Sequence, residues 1–187
     1  MVIRDRTYTV EQFEQFVNAP ENANRLFELI HGEIVEMPTP APKHNVVVSF
    51  MVGKIFIHLE TNDIGRVFGD NTSYAFTDED EYIPDVSFIS YTTYPREQEL
   101  PKKFTFAPDL VIEVMSPSNT AEEIQRKVET YLANGTRLAW VVYPTLKTIV
   151  VHQPSKGAAT LKEGDVLDGG DVLPGFTLAV RSIFARV

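Results

Sequence analysis

The stretch Pro108-Asp-Leu-Val-Ile-Glu-Val-Met115 decides the fold, because it is a short apolar run that contains one internal acid. Apolar side chains at successive positions predict a strand that is covered on both faces, at the centre of a sheet. A helix over residues 120–133 follows, since Thr120 and Glu123 have the spacing of a capping box and Asn134-Gly135 is a helix stop. The next apolar run, at residues 137–143, predicts another strand.

The rest of the chain adds a helix and further β-structure to this unit. Residues 43–60 carry apolar side chains on nearly every face, which predicts a mostly buried helix. Further β-structure is predicted at 65–77, with a turn-prone Gly69-Asp70-Asn71 inside it, at 82–89 and 148–152, and as a hairpin around His31-Gly32. We therefore expect an α/β (α+β) fold with a central mixed sheet flanked by helices, an extra N-terminal hairpin and C-terminal β segments.

Composition limits the possible functions. The 187 residues favour one domain spanning 1–187. The net charge of −9 means that charge attraction alone does not hold nucleic acid. The absence of cysteine excludes disulfides, zinc ribbons and thiol nucleophiles. No apolar segment resembles a signal peptide or is long enough to span a membrane, so we expect a cytoplasmic protein with no membrane partner.

Glu113 is the residue that points to chemistry. An ionised carboxylate inside an apolar strand must be neutral, paired with a cation or bound to a metal, because burying it alone is very costly. A structural ion pair with an arginine and an edge position facing water are the alternatives. Asp85 begins the preceding strand and is the best partner for Glu113. Asp109 lies about 13 Å along the strand from Glu113, too far to share a metal, and more simply caps or braces the strand start.

Lys127 is the third candidate. It lies on the flank of the apolar stripe of the 120–133 helix, about 85° from its centre, so its ammonium can reach the two acids. A surface lysine paired with Glu123 is the simpler alternative. Two acids and a lysine suit phosphodiester hydrolysis, in which the acids bind one or two Mg²⁺ (or Mn²⁺) ions and the lysine orients water or stabilises the transition state.

Several stretches together resemble the Uma-two family of restriction-endonuclease-like proteins, within the PD-(D/E)xK nuclease superfamily. The matching stretches are Phe27-Glu-Leu-Ile-His-Gly-Glu-Ile-Val-Glu36, Pro84-Asp-Val86, Pro108-Asp-Leu-Val-Ile-Glu-Val-Met-Ser-Pro-Ser118, Lys127 with Tyr131, and Gly170-Asp-Val-Leu-Pro-Gly-Phe176. The resemblance implies a restriction-endonuclease-like domain whose core spans about 43–143. It also implies that Asp85 is the motif aspartate and Glu113 the acid of the (D/E)xK element.

The sequence departs from the expected pattern at Met115 and again in Ala139-Trp-Val-Val-Tyr143, and the first departure concerns the site. Met115 stands where the motif lysine is expected, two residues after Glu113. In some members of the superfamily the following helix supplies this lysine, and Lys127 is the matching candidate. Glu33 is weighed as an outer metal ligand or an exposed strand residue, and His44 as a contact for phosphate or water or a local hydrogen-bonding residue.

Two classes of function follow. The first is a metal-dependent endonuclease acting on DNA, with Asp85 and Glu113 as Mg²⁺ ligands and Lys127 as the third catalytic residue. The alternative is a catalytically inactive nuclease-like module that binds nucleic acid or a protein partner. A homodimer is also expected, because many nucleases cut both strands with two subunits related by a two-fold axis.

Overall fold

The computed structural model describes residues 2–3, 7–117 and 119–186, with side chains from residue 7 onward. In these ranges the strands, in chain order, are β1 (Val2–Ile3), β2 (Phe27–Ile30), β3 (Glu33–Glu36), β4 (Gly65–Phe68), β5 (Tyr74–Thr77), β6 (Asp80–Tyr82), β7 (Val86–Ser90), β8 (Leu110–Val114), β9 (Leu138–Tyr143), β10 (Thr148–Gln153), β11 (Gly157–Leu161), β12 (Val166–Asp168) and β13 (Thr177–Ala179). The helices are α1 (Val10–Val17), α2 (Pro42–Thr61), α3 (Ala121–Ala133) and α4 (Val180–Phe184), with a short 3₁₀ turn at Pro20–Asn22.

The central sheet is mixed, as predicted. Its strand order is β11-β10-β9-β8-β7-β4, in which β8 and β9 are parallel and the other neighbours are antiparallel. The parallel pair requires a crossover, which α3 provides. A second sheet has the order β1-β3-β2-β6-β5 and contains the predicted hairpin, while β12 and β13 form the predicted C-terminal β segment. Between β6 and β7 the chain passes from the second sheet to the central sheet.

The two faces of β8 pack against different helices. Leu110, Ile112 and Val114 lie in the core that also contains α2 and α4 residues. Val111 lies in the core formed with α3, together with Ile124 and Val128. Glu113 shares the α3-facing side of the strand, because side chains alternate along it.

Two strand predictions were wrong in extent. The predicted strand 65–77 is divided into β4 and β5, which belong to different sheets and are joined by a turn in which Asn71 has a left-handed φ of 71°. The predicted strand 82–89 is divided into β6 and β7. Pro84 has no N–H to donate to a ladder, and the Ile83 N–H donates to the Glu28 carboxylate instead of to a strand.

The α2 helix confirms the predicted element but is less buried than expected. Its buried face carries Val47, Val48, Met51 and Ile55. Phe56 and Ile57 lie on the opposite face and are 57% and 59% exposed. Within the described ranges, no helix combines the length and the apolar character that crossing a membrane requires.

Candidate active site

Sheet pairing brings Asp85 and Glu113 together. Val86 pairs with Ile112 in the antiparallel ladder of β7 and β8. Continuing that register by one residue places Asp85 opposite Glu113, and cross-strand neighbours of this kind have Cβ atoms about 5 Å apart. Because the β-structure is interrupted at Ile83-Pro84, Asp85 lies directly before the first residue of β7, and it lines a cleft there.

Asp85 is held by two hydrogen-bonding contacts. Its Oδ2 accepts the backbone N–H of Val114 at 2.7 Å and lies 3.1 Å from His44 Nε2. His44 comes from the first turn of α2, which begins at Pro42, a residue whose fixed φ suits the first position of a helix. Burial alone would lower the pKa of His44, but its contact with Asp85, a hydrogen bond to Asn45 and the charge of Glu113 raise it above 6.5.

Glu113 is buried and contacts two α3 residues. Its Oε1 accepts a 2.8 Å hydrogen bond from the Tyr131 hydroxyl and lies 3.7 Å from Lys127 Nζ. Burial raises the pKa of Glu113 strongly, the charge of Lys127 opposes that rise, and the charges of Asp85 and Glu28 add to it, giving a pKa of about 8. The carboxyl is therefore poised to ionise when a cation approaches.

Lys127 is the cation of the site, and Glu28 on β2 is its nearest partner. Lys127 Nζ donates to Glu28 Oε1 at 2.7 Å, and the same oxygen accepts the Ile83 N–H at 2.9 Å. Burial would lower the pKa of Lys127, but the charges of Glu113 and Glu28 hold it well above its usual range. The lysine is an ammonium at neutral pH, and it lies nearer to the Glu28 carboxylate than to the Glu113 carboxyl group.

Met115 occupies the position of the motif lysine with an apolar side chain. Its side chain is partly buried against the core that contains Val128 and Tyr131, on the same face of the sheet as Glu113. An apolar residue therefore fills the position two residues after the acid, and Lys127 brings an ammonium to the same face from the neighbouring helix.

The structure separates Glu33 and Asp109 from this group. Glu33 is exposed at the start of β3 and does not line the cleft. Asp109 braces the opposite end of β8, as predicted: its carboxylate accepts the Ser90 N–H at 2.7 Å and the Thr93 hydroxyl at 2.9 Å, and pairs with Arg137 at 2.9 Å. His44, in contrast, lies within the cleft beside Asp85.

The cleft is open on one side and acidic at its base. Its lining residues are Leu26, Met37, Pro38, Pro40, His44, Asp70, Asn71, Ile83, Asp85, Glu113, Val114, Ser116, Asn119 and Lys127. Among the described side chains, no group of three or more His, Asp or Glu is arranged to hold a metal ion by itself. Asp85 and Glu113 each have one carboxyl oxygen that accepts no hydrogen bond from a described residue.

Sequence reasoning missed Glu28 and Tyr131 as site residues. Glu28 lies 99 residues before Lys127 in the chain, so no local pattern connects the two. A signal was present, because Glu28 lies between Phe27 and Leu29 in an apolar strand, just as Glu113 lies between Ile112 and Val114. The buried-acid argument applied to Glu113 applies equally to Glu28.

A search of solved structures shows the class of protein. The chain is similar to the crystal structure of "a putative nuclease belonging to DUF820" from Anabaena variabilis, with 25% sequence identity and a TM-score of 0.84 over 95% of this chain and 97% of that one. The fold is therefore restriction-endonuclease-like. No curated protein matches the chain.

The family follows from a sequence model. The model of the Uma2 family, described as "Putative restriction endonuclease", matches residues 10–181. The chain belongs to this family, which confirms the resemblance seen in its motifs.

Proposed function

We propose that the protein is a Mg²⁺- (or Mn²⁺-) dependent endonuclease that hydrolyses phosphodiester bonds in DNA. The observation that carries the proposal is the convergence of Asp85, Glu113 and Lys127 in one cleft, two acids and one ammonium supplied by three different elements. We further propose that residues 1–187 form one PD-(D/E)xK nuclease-like domain with its core at about 43–143.

The donor set fits a divalent cation. Within the described ranges, Asp85 Oδ1 and Glu113 Oε2 accept no hydrogen bond, so each acid keeps one oxygen for a ligand. Mg²⁺ is usually held by one or two carboxylates, with water and substrate phosphate completing its shell. Two carboxylate ligands, without a third side chain, are therefore compatible with a magnesium site. The bound ion would lower the pKa of a water and neutralise charge on the phosphate.

Lys127 supplies the remaining positive charge. Hydrolysis forms a bond from water oxygen to phosphorus and breaks one P–O ester bond, and the water gives up a proton while the leaving oxygen gains one. Negative charge grows on the phosphoryl oxygens during this exchange. The Lys127 ammonium, fixed by Glu28 at 2.7 Å, is placed to donate a hydrogen bond to such an oxygen without first reorganising.

Cleavage of plasmid DNA tests this proposal. The wild-type protein is expected to nick or cut DNA in Mg²⁺ or Mn²⁺ and to stop in EDTA. Asp85→Asn, Glu113→Gln and Lys127→Met should each lower the rate at least about 100-fold, since each removes a group that acts in the transition state. Asp109→Asn is the matched control, because Asp109 is also a buried acid of the same sheet but belongs to a separate network. Equal rates for Asp85→Asn and Asp109→Asn would contradict the proposal.

A non-catalytic binding module is the second candidate, and one contact favours it. Lys127 lies 2.7 Å from Glu28 and 3.7 Å from Glu113, so its closest interaction is a buried ion pair of the kind that also serves structure. Such a module would bind its nucleic acid or protein partner equally well in EDTA and leave DNA intact. The same assay therefore separates the two candidates.

A further inference from the structure

One face of α2 is apolar and uncovered within the described ranges. Among the described residues, seven large apolar side chains are exposed, and three of them lie on this helix: Val46, Phe56 and Ile57 are 40%, 57% and 59% exposed. The half-buried Phe50 lies on the same side of the helix, because it precedes Ile57 by seven residues and follows Val46 by four. Apolar side chains grouped in this way on a surface mark an interaction site.

Gly53 lies at the centre of this face. It follows Val46 by seven residues and precedes Ile57 by four, so it points in the same direction as both. Outside its own helix backbone, no atom of the described residues lies within 4 Å of the position that a Cβ would take. Packing within the chain therefore gives no reason for a glycine here, although glycine is a poor helix former. A position without a side chain allows a second backbone to approach closely.

The two ends of the face carry opposite charges that have no partner among the described residues. Arg186, which follows α4, lines one groove together with Val46 and Phe50 at the N-terminal end. Glu60 lies at the C-terminal end, seven residues after Gly53, just as Val46 lies seven residues before it. Neither Arg186 nor Glu60 forms an ion pair in the described part of the chain. The face is therefore complementary in charge to a copy of itself that runs in the opposite direction.

The shape of the face is self-complementary in the same arrangement. In two antiparallel α2 helices centred on Gly53, positions 49 and 50 face positions 57 and 56 of the other copy. The exposed Phe56 and Ile57 of each copy then face the partner's groove, which is lined by Asn45, Val46, Ser49, Phe50, Ile183 and Arg186. Position 60 faces position 46, so Glu60 comes beside the partner's Arg186. Two-fold symmetry forms every one of these contacts twice.

We infer that the exposed face of α2 binds a second copy of this chain, with the two α2 helices antiparallel and the two-fold axis at Gly53. The antiparallel arrangement also places opposite ends of the helix dipoles side by side. His44 in the first turn of the same helix lines the cleft, whereas Val46, Phe50, Gly53, Phe56 and Ile57 do not, so the pairing leaves both clefts open. The inference says where the expected dimer forms, and it holds whether or not the protein cuts DNA.

Single cysteines test the geometry, because the chain has no cysteine of its own. The two copies of residue 53 meet at the axis, so Gly53→Cys is expected to form an intermolecular disulfide on mild oxidation. The two copies of residue 46 are separated by 14 residues of helix, about 21 Å along its axis, so Val46→Cys should not. Leu146→Cys, at a 69% exposed position between β9 and β10, measures cross-linking by random collision. Gly53→Cys that cross-links no more than Leu146→Cys, or no more than Val46→Cys, would overturn the inference.

Charge variants test the contacts by sedimentation, with melting curves to check that each variant folds. Gly53→Glu and Ile57→Glu are each expected to weaken dimerisation at least about 10-fold, because each places an unpaired carboxylate between the two copies. Glu60→Arg should weaken it as well, since two arginines then meet, and combining it with Arg186→Glu should restore it. Leu146→Glu should change nothing. A wild type that is monomeric at every concentration would overturn the inference, as would a dimer that Gly53→Glu and Ile57→Glu leave intact.

Discussion

The pair formed by Lys127 and Glu28 gives the sharpest stability prediction. Both side chains are nearly buried, at 12% and 4% exposed, and the ammonium donates to Glu28 Oε1 at 2.7 Å. Glu28→Gln keeps the size of the side chain and a carbonyl oxygen for the Ile83 N–H, and it removes the negative charge alone. The change therefore leaves a buried ammonium with one carboxylate partner fewer.

The size of the effect follows from the remaining partner. Removing one member of a buried ion pair costs about 3–5 kcal/mol, because the other charge is left uncompensated. Glu113 lies 3.7 Å from Lys127, and the charge of Glu28 is one of the causes that keep Glu113 protonated. With Glu28 neutral, Glu113 ionises more readily and recovers part of the loss. We expect Glu28→Gln to lower the free energy of unfolding by about 2–3 kcal/mol, or roughly 5–10 °C in melting temperature.

Urea unfolding of wild type and Glu28→Gln measures this loss in the free energy of unfolding, with Glu81→Gln as the control. Glu81 on β6 pairs with Lys103 at 2.9 Å, but Lys103 is 23% exposed and also pairs with Glu14. Glu81→Gln should therefore cost less than Glu28→Gln, because Lys103 keeps Glu14 as a partner and is nearer to solvent than Lys127. A loss for Glu28→Gln no larger than that for Glu81→Gln would refute the reasoning that Lys127 depends on Glu28.

Three further predictions concern the site and the assembly. Glu113 binds its proton more tightly in the folded than in the unfolded chain, because burial raises its pKa to about 8. This stabilisation of the metal-free protein is complete below the pKa of the unfolded chain and is lost as pH rises through about 8, so the melting temperature should fall from about pH 5 to about pH 8. The pKa of His44 is also raised, so His44 contributes a fall in the same direction that remains in Glu113→Gln. The melting temperature of Glu113→Gln should therefore fall less with pH than that of wild type, and parallel curves of melting temperature against pH would contradict this. Tyr131→Phe removes the hydroxyl that donates to Glu113 and should weaken Mn²⁺ binding about 10-fold in calorimetry. Tyr82→Phe is the control and should not change Mn²⁺ binding, because the Tyr82 hydroxyl donates to Asp80. Sedimentation should show a dimer of the 21.1 kDa chain, and a monomer at all concentrations would reject the expected pairing.

The local elements could be predicted because each has a local cause. The capping box of Thr120 and Glu123 begins α3 as predicted, and both of its reciprocal hydrogen bonds are present. The apolar run of β8 occupies the predicted central position because both of its faces are covered by helices. The pair Asp85 and Glu113 could be proposed because Glu113 lies inside an apolar strand and Asp85 directly precedes the strand before it.

The parts that could not be predicted depend on pairing between distant segments. The β-prone pattern of residues 82–89 carries no information about which sheet each half joins. Pro84 was a local sign of the division, whereas the acceptor of the Ile83 N–H, Glu28, lies 55 residues away and could not be read from the local pattern. Glu33 was weighed as an outer metal ligand or an exposed strand residue, and Glu28 was not considered. In the hairpin, Glu28 is buried and Glu33 is exposed.

Binding of Mn²⁺ by calorimetry tests the central claim most directly, because it requires neither a known substrate nor turnover. Wild type and Asp109→Asn are expected to bind Mn²⁺ with micromolar to millimolar affinity, and binding should disappear in Asp85→Asn and in Glu113→Gln. Binding that survives in Asp85→Asn and Glu113→Gln at wild-type strength would contradict the assignment of these two acids as the metal site.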